Sequence, residues 1–130
     1  MLLVKHMMLT KVITVSPSMT VKKTIETLYE KHIGLVVCID EEKKCIGVFT
    51  ERDAIRLVAE NVELDQPLGN VMTKNVITIQ EDSSINEVRR TIQTHSIRHL
   101  PVVNKEDKLV DLLSVRALLD QFFGLNSQTC

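Results

Sequence analysis

The segment Gly47-Val48-Phe49-Thr50-Glu51-Arg52-Asp53 gathers the residues best suited to meet a ligand. It falls where a strand pattern gives way to a helical one. A helix N-terminus offers amides without intrahelical partners and a partial positive charge, which suits phosphate or another anion. Thr50 would hold its hydroxyl at that turn. Asp53, three residues on, would face the same mouth, where a carboxylate can accept two hydrogen bonds from a vicinal diol. Gly47 would let another group approach closely. Thr50-x-x-Asp53 also fits a capping box with Asp in place of Glu, which is a purely structural role. Both readings are open.

A second segment, Ser96-Ile97-Arg98-His99-Leu100-Pro101-Val102-Val103, puts two basic side chains at the entry to an apolar strand. Such a pair is either a solvated strand end or an anion contact. His6, His32 and His95 stand alone and read as surface or helix-end residues. Met7, Met8 and Met72 read as packing. Cys38, Cys45 and Cys130 form no CxxC and no His/Cys cluster with metal spacing, so inert thiols and no metal site are expected.

These segments sit in a repeat. At an offset of 64, residues 4–58 lie on residues 68–122 without a gap, and nine of the 55 pairs are identical. About three identities would be expected by chance from ordinary residue frequencies. Each copy reads as strand, helix, strand, strand, helix. In copy one the expected elements are a strand at 12–15, a helix at 21–32 capped by Thr20, strands at 35–39 and 45–50 around a polar hairpin, and a helix at 51–61. Val21, Ile25, Leu28 and Tyr29 would face inward on the first helix, and Ile55, Val58 and Ala59 on the second. In copy two they are a strand at 76–79, a helix from Ser84, with Glu87 as a capping box, to His95, strands at 99–103 and 109–114, and a helix to Phe123 before Gly124.

The expected division is repeat one at 4–61, a linker with a short helix at 62–72, repeat two at 73–124, and a loose tail at 125–130. The fold class is α+β, built from two β-α-β-β-α repeats. One copy of about 60 residues is marginal alone, so the two should pack around a pseudo-twofold axis.

Three motifs give the chain a family likeness: Val71-Met72-Thr73-Lys74-Asn75-Val76-Ile77-Thr78, Ile97-Arg98-His99-Leu100-Pro101-Val102-Val103, and Gly47-x-x-Thr50-x-x-Asp53. With the repeat, they resemble a tandem pair of cystathionine-β-synthase (CBS) domains, a Bateman module. That resemblance implies two clefts between the repeats that bind adenosine compounds such as AMP, ADP, ATP or S-adenosylmethionine. It implies that Thr50 and Asp53 hold the ribose. Asn75, Val76 and Ile77 would line the adenine pocket, with Pro101 and Val48 nearby, and Arg98, His99 and Arg116 would meet phosphate. Arg52 is included in this nucleotide set and is also the basic group of the mirror cleft. That mirror cleft would otherwise use Val12, Ile13, Gly34, Leu35, Ser114 and Ala117.

The copies differ where it matters. Asp53 aligns with Ala117, and Arg98-His99 aligns with Gly34-Leu35. The mirror cleft therefore lacks the ribose carboxylate and two of three basic groups. Charge-assisted hydrogen bonds contribute about 1.5–3 kcal/mol each, so the two affinities should differ by about two orders of magnitude or more. One working site and one weak or empty cleft are expected. Three cations favour AMP or ADP, with ATP possible in an open cleft. S-adenosylmethionine carries its own positive charge and ranks lower.

A net charge of −1 and 3% aromatic residues argue against nucleic acid as a partner. No apolar run is long enough to span a membrane, so no membrane association and a cytoplasmic location are expected. No nucleophile–base pair or Walker-type loop is present, so no enzymatic activity is expected. The expected role is a stand-alone regulatory module that needs no cofactor, forms a homodimer and acts on an unidentified protein target. The alternatives are a scaffold with vestigial clefts or an S-adenosylmethionine sensor.

Overall fold

The computed structural model describes residues 2–6, 11–116 and 119. Expectations for Met7, Met8, Ala117, Gly124, Cys130, the end of the last helix and the tail lie outside the described residues.

Each repeat builds a three-stranded sheet and a covering helix. The first contains β1 (Thr14–Val15), α1 (Val21–Lys31), β2 (Leu35–Ile39), β3 (Cys45–Thr50) and α2 (Glu51–Ala59). The second contains β4 (Ile79–Gln80), α3 (Ile85–His95), β5 (His99–Val103) and β6 (Leu109–Ser114), and a further helix begins at Val115. The first strand of each sheet runs parallel to the second, and the second pairs antiparallel with the third. The expected α+β class and the repeated strand-helix-strand-strand order hold.

The backbone repeats more faithfully than the side chains. A bulge falls between Cys38 and Ile39, and again between Val102 and Val103. Left-handed residues close the first helix of each copy, at His32 (φ 53°) and Ser96 (φ 52°), and turn each hairpin, at Lys43 (φ 66°) and Asp107 (φ 64°). His32 was expected inside the helix. It caps it instead, donating its N–H to the Leu28 and Tyr29 carbonyls.

The opening strands are shorter than the β-branched runs at 12–15 and 76–79 suggest. β1 begins at Thr14, and the Val37 N–H still reaches the Ile13 carbonyl at 3.1 Å. The residue matching Val37 in copy two is Pro101, which has no N–H to give. β4 accordingly starts at Ile79, one repeat position later than β1.

Two inward faces differ from expectation. Tyr29 is 80% exposed, while Val21, Thr24 and Leu28 are buried on α1. α2 ends at Ala59, not at Asn61. On α2, Ile55 and Val58 are 70% and 61% exposed and Ala59 is exposed too; Leu57 is buried and Ala54 packs beside it. The sequence offers two apolar stripes on this short helix, and the sheet takes the narrower one.

The compact units are out of phase with the sequence repeats. One is Val12–Val76; the other joins the N-terminal residues to the chain from Ile77 onward. Three bonds in each unit explain the exchange. In the first unit Leu68 N–H donates to the Met19 carbonyl (2.7 Å), Gly69 N–H to Pro17 (3.0 Å) and Val21 N–H to Gln66 (2.9 Å). In the second, Val4 N–H donates to Ser83 (2.9 Å), Lys5 N–H to Glu81 (3.0 Å) and Ile85 N–H to Leu2 (3.2 Å). Each of these bonds is the other shifted by 64 positions. The segment that leads into each repeat thus docks on the turn that opens the other repeat's first helix. Leu68 and Val4, the matched anchors, are both fully buried.

Candidate functional site

The turn from β3 into α2 is fixed by a complete capping box. Thr50 is extended (φ −118°, ψ 167°), so its side chain lies across the first turn of α2. Its hydroxyl accepts from the Asp53 N–H at 3.1 Å and donates to Asp53 Oδ2 at 3.1 Å. Asp53 Oδ2 also accepts the Thr50 N–H at 3.0 Å. The capping reading of Thr50-x-x-Asp53 is therefore realised. It leaves Asp53 Oδ1 outside the box, and the side chain is 16% exposed. An ionised carboxylate has about four lone-pair sites, and the box uses those of one oxygen.

Arg56 also reaches this turn, although it is not among the residues expected from the sequence. Its Nη2 lies 3.6 Å from Asp53 Oδ1, and its Nη1 lies 3.4 Å from Glu60 Oε1. The signal was present as Asp53-x-x-Arg56-x-x-x-Glu60, a three- and four-residue spacing that puts all three on one helix face.

Gly47 has a structural task. A Cβ there would collide with Met72 Sδ. The group that approaches it is therefore a thioether from the same unit. Next to it Val48 and Thr73 exchange both backbone bonds, at 3.0 and 3.1 Å. This holds the chain leading to Asn75 against the strand that carries Thr50. Asn75 is exposed and left-handed (φ 58°), a conformation Asn tolerates. Val76 is half-buried and Arg52 exposed. Val12, Ile13 and Leu35 are partly buried and Gly34 is exposed. All of these belong to the Val12–Val76 unit.

In the other unit, His99 stands opposite Ser114 in the β5–β6 register, and the Arg98 carbonyl accepts the Val115 N–H at 2.8 Å. Arg98, His99 and Arg116 are exposed, Ile77 is half-buried, and Pro101 and Ser114 are buried. Although part of the His99 ring reaches solvent, desolvation by the groups packed around it, and secondarily the Arg98 charge, lower its pKa below the ordinary 6.5. Burial pushes the Cys38 thiol up to about 11, which keeps it protonated and unreactive.

The match to known proteins follows the repeat. The CBS domain family matches residues 4–60 and again 68–124. The chain belongs to the CBS domain family. Its two matches make it a CBS pair. A protein of Acidianus ambivalens, described as an uncharacterized 17.7 kDa protein in the bps2 3′ region, is 33% identical over 115 residues, covering 85% of this chain and 70% of its own length. The inosine-5′-monophosphate dehydrogenase of Aquifex aeolicus is 32% identical over 108 residues, covering 82% of this chain, which spans only 22% of that enzyme. Among solved structures, the CBS domain protein PAE2072 from Pyrobaculum aerophilum, complexed with AMP, superposes with a TM-score of 0.81 at 27% identity and 90% coverage of both chains. The CBS domain pair of protein MJ0100, in complex with 5′-methylthioadenosine and S-adenosyl-L-methionine, has a TM-score of 0.82 at 25% identity, covering 95% of this chain and 97% of its own. No described helix is long and apolar enough to cross a membrane, and no group of three or more described His, Cys, Asp or Glu residues is placed to hold a metal ion.

Proposed function

We propose that this CBS pair is a regulatory module that binds one adenine nucleotide per chain, AMP or ADP before ATP. The observation that carries the reading is the Thr50–Asp53 turn. One carboxylate oxygen is locked by two hydrogen bonds, which orients the other before any ligand arrives. Such preorganisation lowers the ordering cost of binding. The residues proposed to contact the ligand are Thr50 and Asp53 for the ribose and Val48, Asn75, Val76, Ile77 and Pro101 for the adenine. Arg98, Arg116 and Arg52 supply positive charge for the phosphate, and His99, whose pKa is lowered, supplies a hydrogen-bonding imidazole beside them. The second site, with Ser114 and Ala117 in place of Thr50 and Asp53, is weak or empty. The AMP bound by PAE2072 supports the ligand class.

A second reading has its own support. MJ0100 binds S-adenosyl-L-methionine and 5′-methylthioadenosine, which share the adenine and the ribose diol but carry no phosphate. The three arginines favour the nucleotide because they repel a sulfonium. In either case the ligand acts by binding one arrangement of the chain, or of two chains, better than another. The exposed Tyr29, Ile55 and Val58 on α1 and α2 fit a homodimer contact.

Thermal-shift measurement with AMP, ADP, ATP and S-adenosylmethionine tests the proposal. A ligand at 100 times its dissociation constant stabilises by about 2.7 kcal/mol. AMP or ADP should give the largest shift. A larger shift with S-adenosylmethionine would favour the second reading, and no shift with any of them would favour a scaffold.

A further inference from the structure

Asp53, Arg56 and Glu60 form a run of alternating charge along α2, and the run constrains how a ribose can dock. Asp53 Oδ2 is held by the Thr50 N–H and O–H at 3.0 and 3.1 Å. The oxygen left for a diol is Oδ1, the one that Arg56 Nη2 faces at 3.6 Å. Arg56 is not needed to orient the carboxylate, because the capping box already does so. At 3.6 Å the contact is an ion pair beyond hydrogen-bond length, and pairs of this kind near water exchange at little cost. Glu60, exposed and 3.4 Å from Arg56 Nη1, already holds the other arm of the same guanidinium.

We propose that Arg56 gates Asp53: it covers Oδ1 in the empty site and is retained by Glu60 alone when a vicinal diol docks. The gate rests on the nucleotide reading above and adds a positioning residue to it. Copy two has Ala117, Asp120 and Gly124 at the three matching positions, so ribose carboxylate, gate and retaining acid occur together in one copy only. Because the gate acts through the diol, its signature is a change in discrimination between ribose and 2′-deoxyribose. A general loss of positive charge near the phosphate would alter both ligands alike.

The test is titration of the full chain with AMP and with 2′-deoxy-AMP. Arg56→Gln should raise the AMP-to-deoxy-AMP affinity ratio about two- to five-fold, the range set by a partly exposed ion pair. Glu60→Gln should lower the ratio, since Arg56 then rests on Asp53 alone. The double variant should match Arg56→Gln. If the wild-type chain prefers AMP, Asp53→Ala abolishes that preference and Arg56→Gln leaves it unchanged, the gate is wrong and the ribose reading stands. If the wild-type chain shows no preference for AMP, the ribose role of Asp53 fails and the gate fails with it.

Discussion

The two turns that open the second helix of each repeat share a backbone and differ in chemistry. In both, the residue before the middle strand accepts an amide from the first helical residue: Gly34 from Glu51 at 3.0 Å, and Arg98 from Val115 at 2.8 Å. Copy one adds Asp53 three residues after its capping hydroxyl; copy two has Ala117 there. A helix nonetheless begins at Val115. The fold therefore needs the turn but not the carboxylate. Asp53 is both a helix cap in fact and a ribose ligand by proposal, and only variants that separate the two roles can weigh them.

The largest effects should appear in the shared scaffold. Leu68→Ala should destabilise the chain by about 2–5 kcal/mol and Val4→Ala by less, because each empties a fully buried anchor of an exchanged segment. Denaturant melts would check this; a near-neutral Leu68→Ala would mean the docked segment is dispensable. Gly47→Ala comes next, at about 1–3 kcal/mol, since its Cβ would collide with Met72. The matched position in copy two is Asp111, whose substitution by Ala should cost much less. Equal costs in the two copies would contradict the Met72 contact as the cause.

Asp53 separates the roles by the chemistry of its replacements. Asp53→Ala removes the cap and the ribose contact together. It should cost about 0.5–1 kcal/mol of stability and at least about ten-fold in AMP affinity. Asp53→Glu restores the usual capping-box acid but displaces the free oxygen. It should keep the stability and still lose affinity. Unchanged AMP affinity in both variants would leave Asp53 a cap only.

The smallest effect is a pH dependence in the second repeat. The folded chain holds the His99 proton less tightly than the unfolded chain does, because the His99 pKa is lowered. Its contribution to stability is therefore full above the ordinary value of 6.5 and declines as the pH falls below it. His99→Gln should flatten that part of the stability profile. A decline of the same size in His99→Gln would assign it to other groups.

The sequence displayed the repeat, the hairpin strands and the capping residues, because strand periodicity and cap chemistry are local. It did not display the exchange of leading segments. Val4 and Leu68 are ordinary apolar residues, and only the hydrogen bonds to Ser83 and Met19 assign each to the opposite repeat. The inward face of α2 was ambiguous for a related reason. Ala54-x-x-Leu57 and Ile55-x-x-Val58 are equally regular, and the choice depends on a sheet formed by distant residues. At Gly47 the missing side chain was visible but the group filling its place, Met72, is 25 positions away. Arg56 does not stand out in the sequence because its partners are carboxylates on its own helix, a pattern that usually marks a solvated surface.

Isothermal titration of the full chain with AMP tests the difference between the copies most directly. The account predicts one site per chain, lost or strongly weakened in Asp53→Ala and retained in variants of Ser114. Two equivalent sites per chain would contradict it.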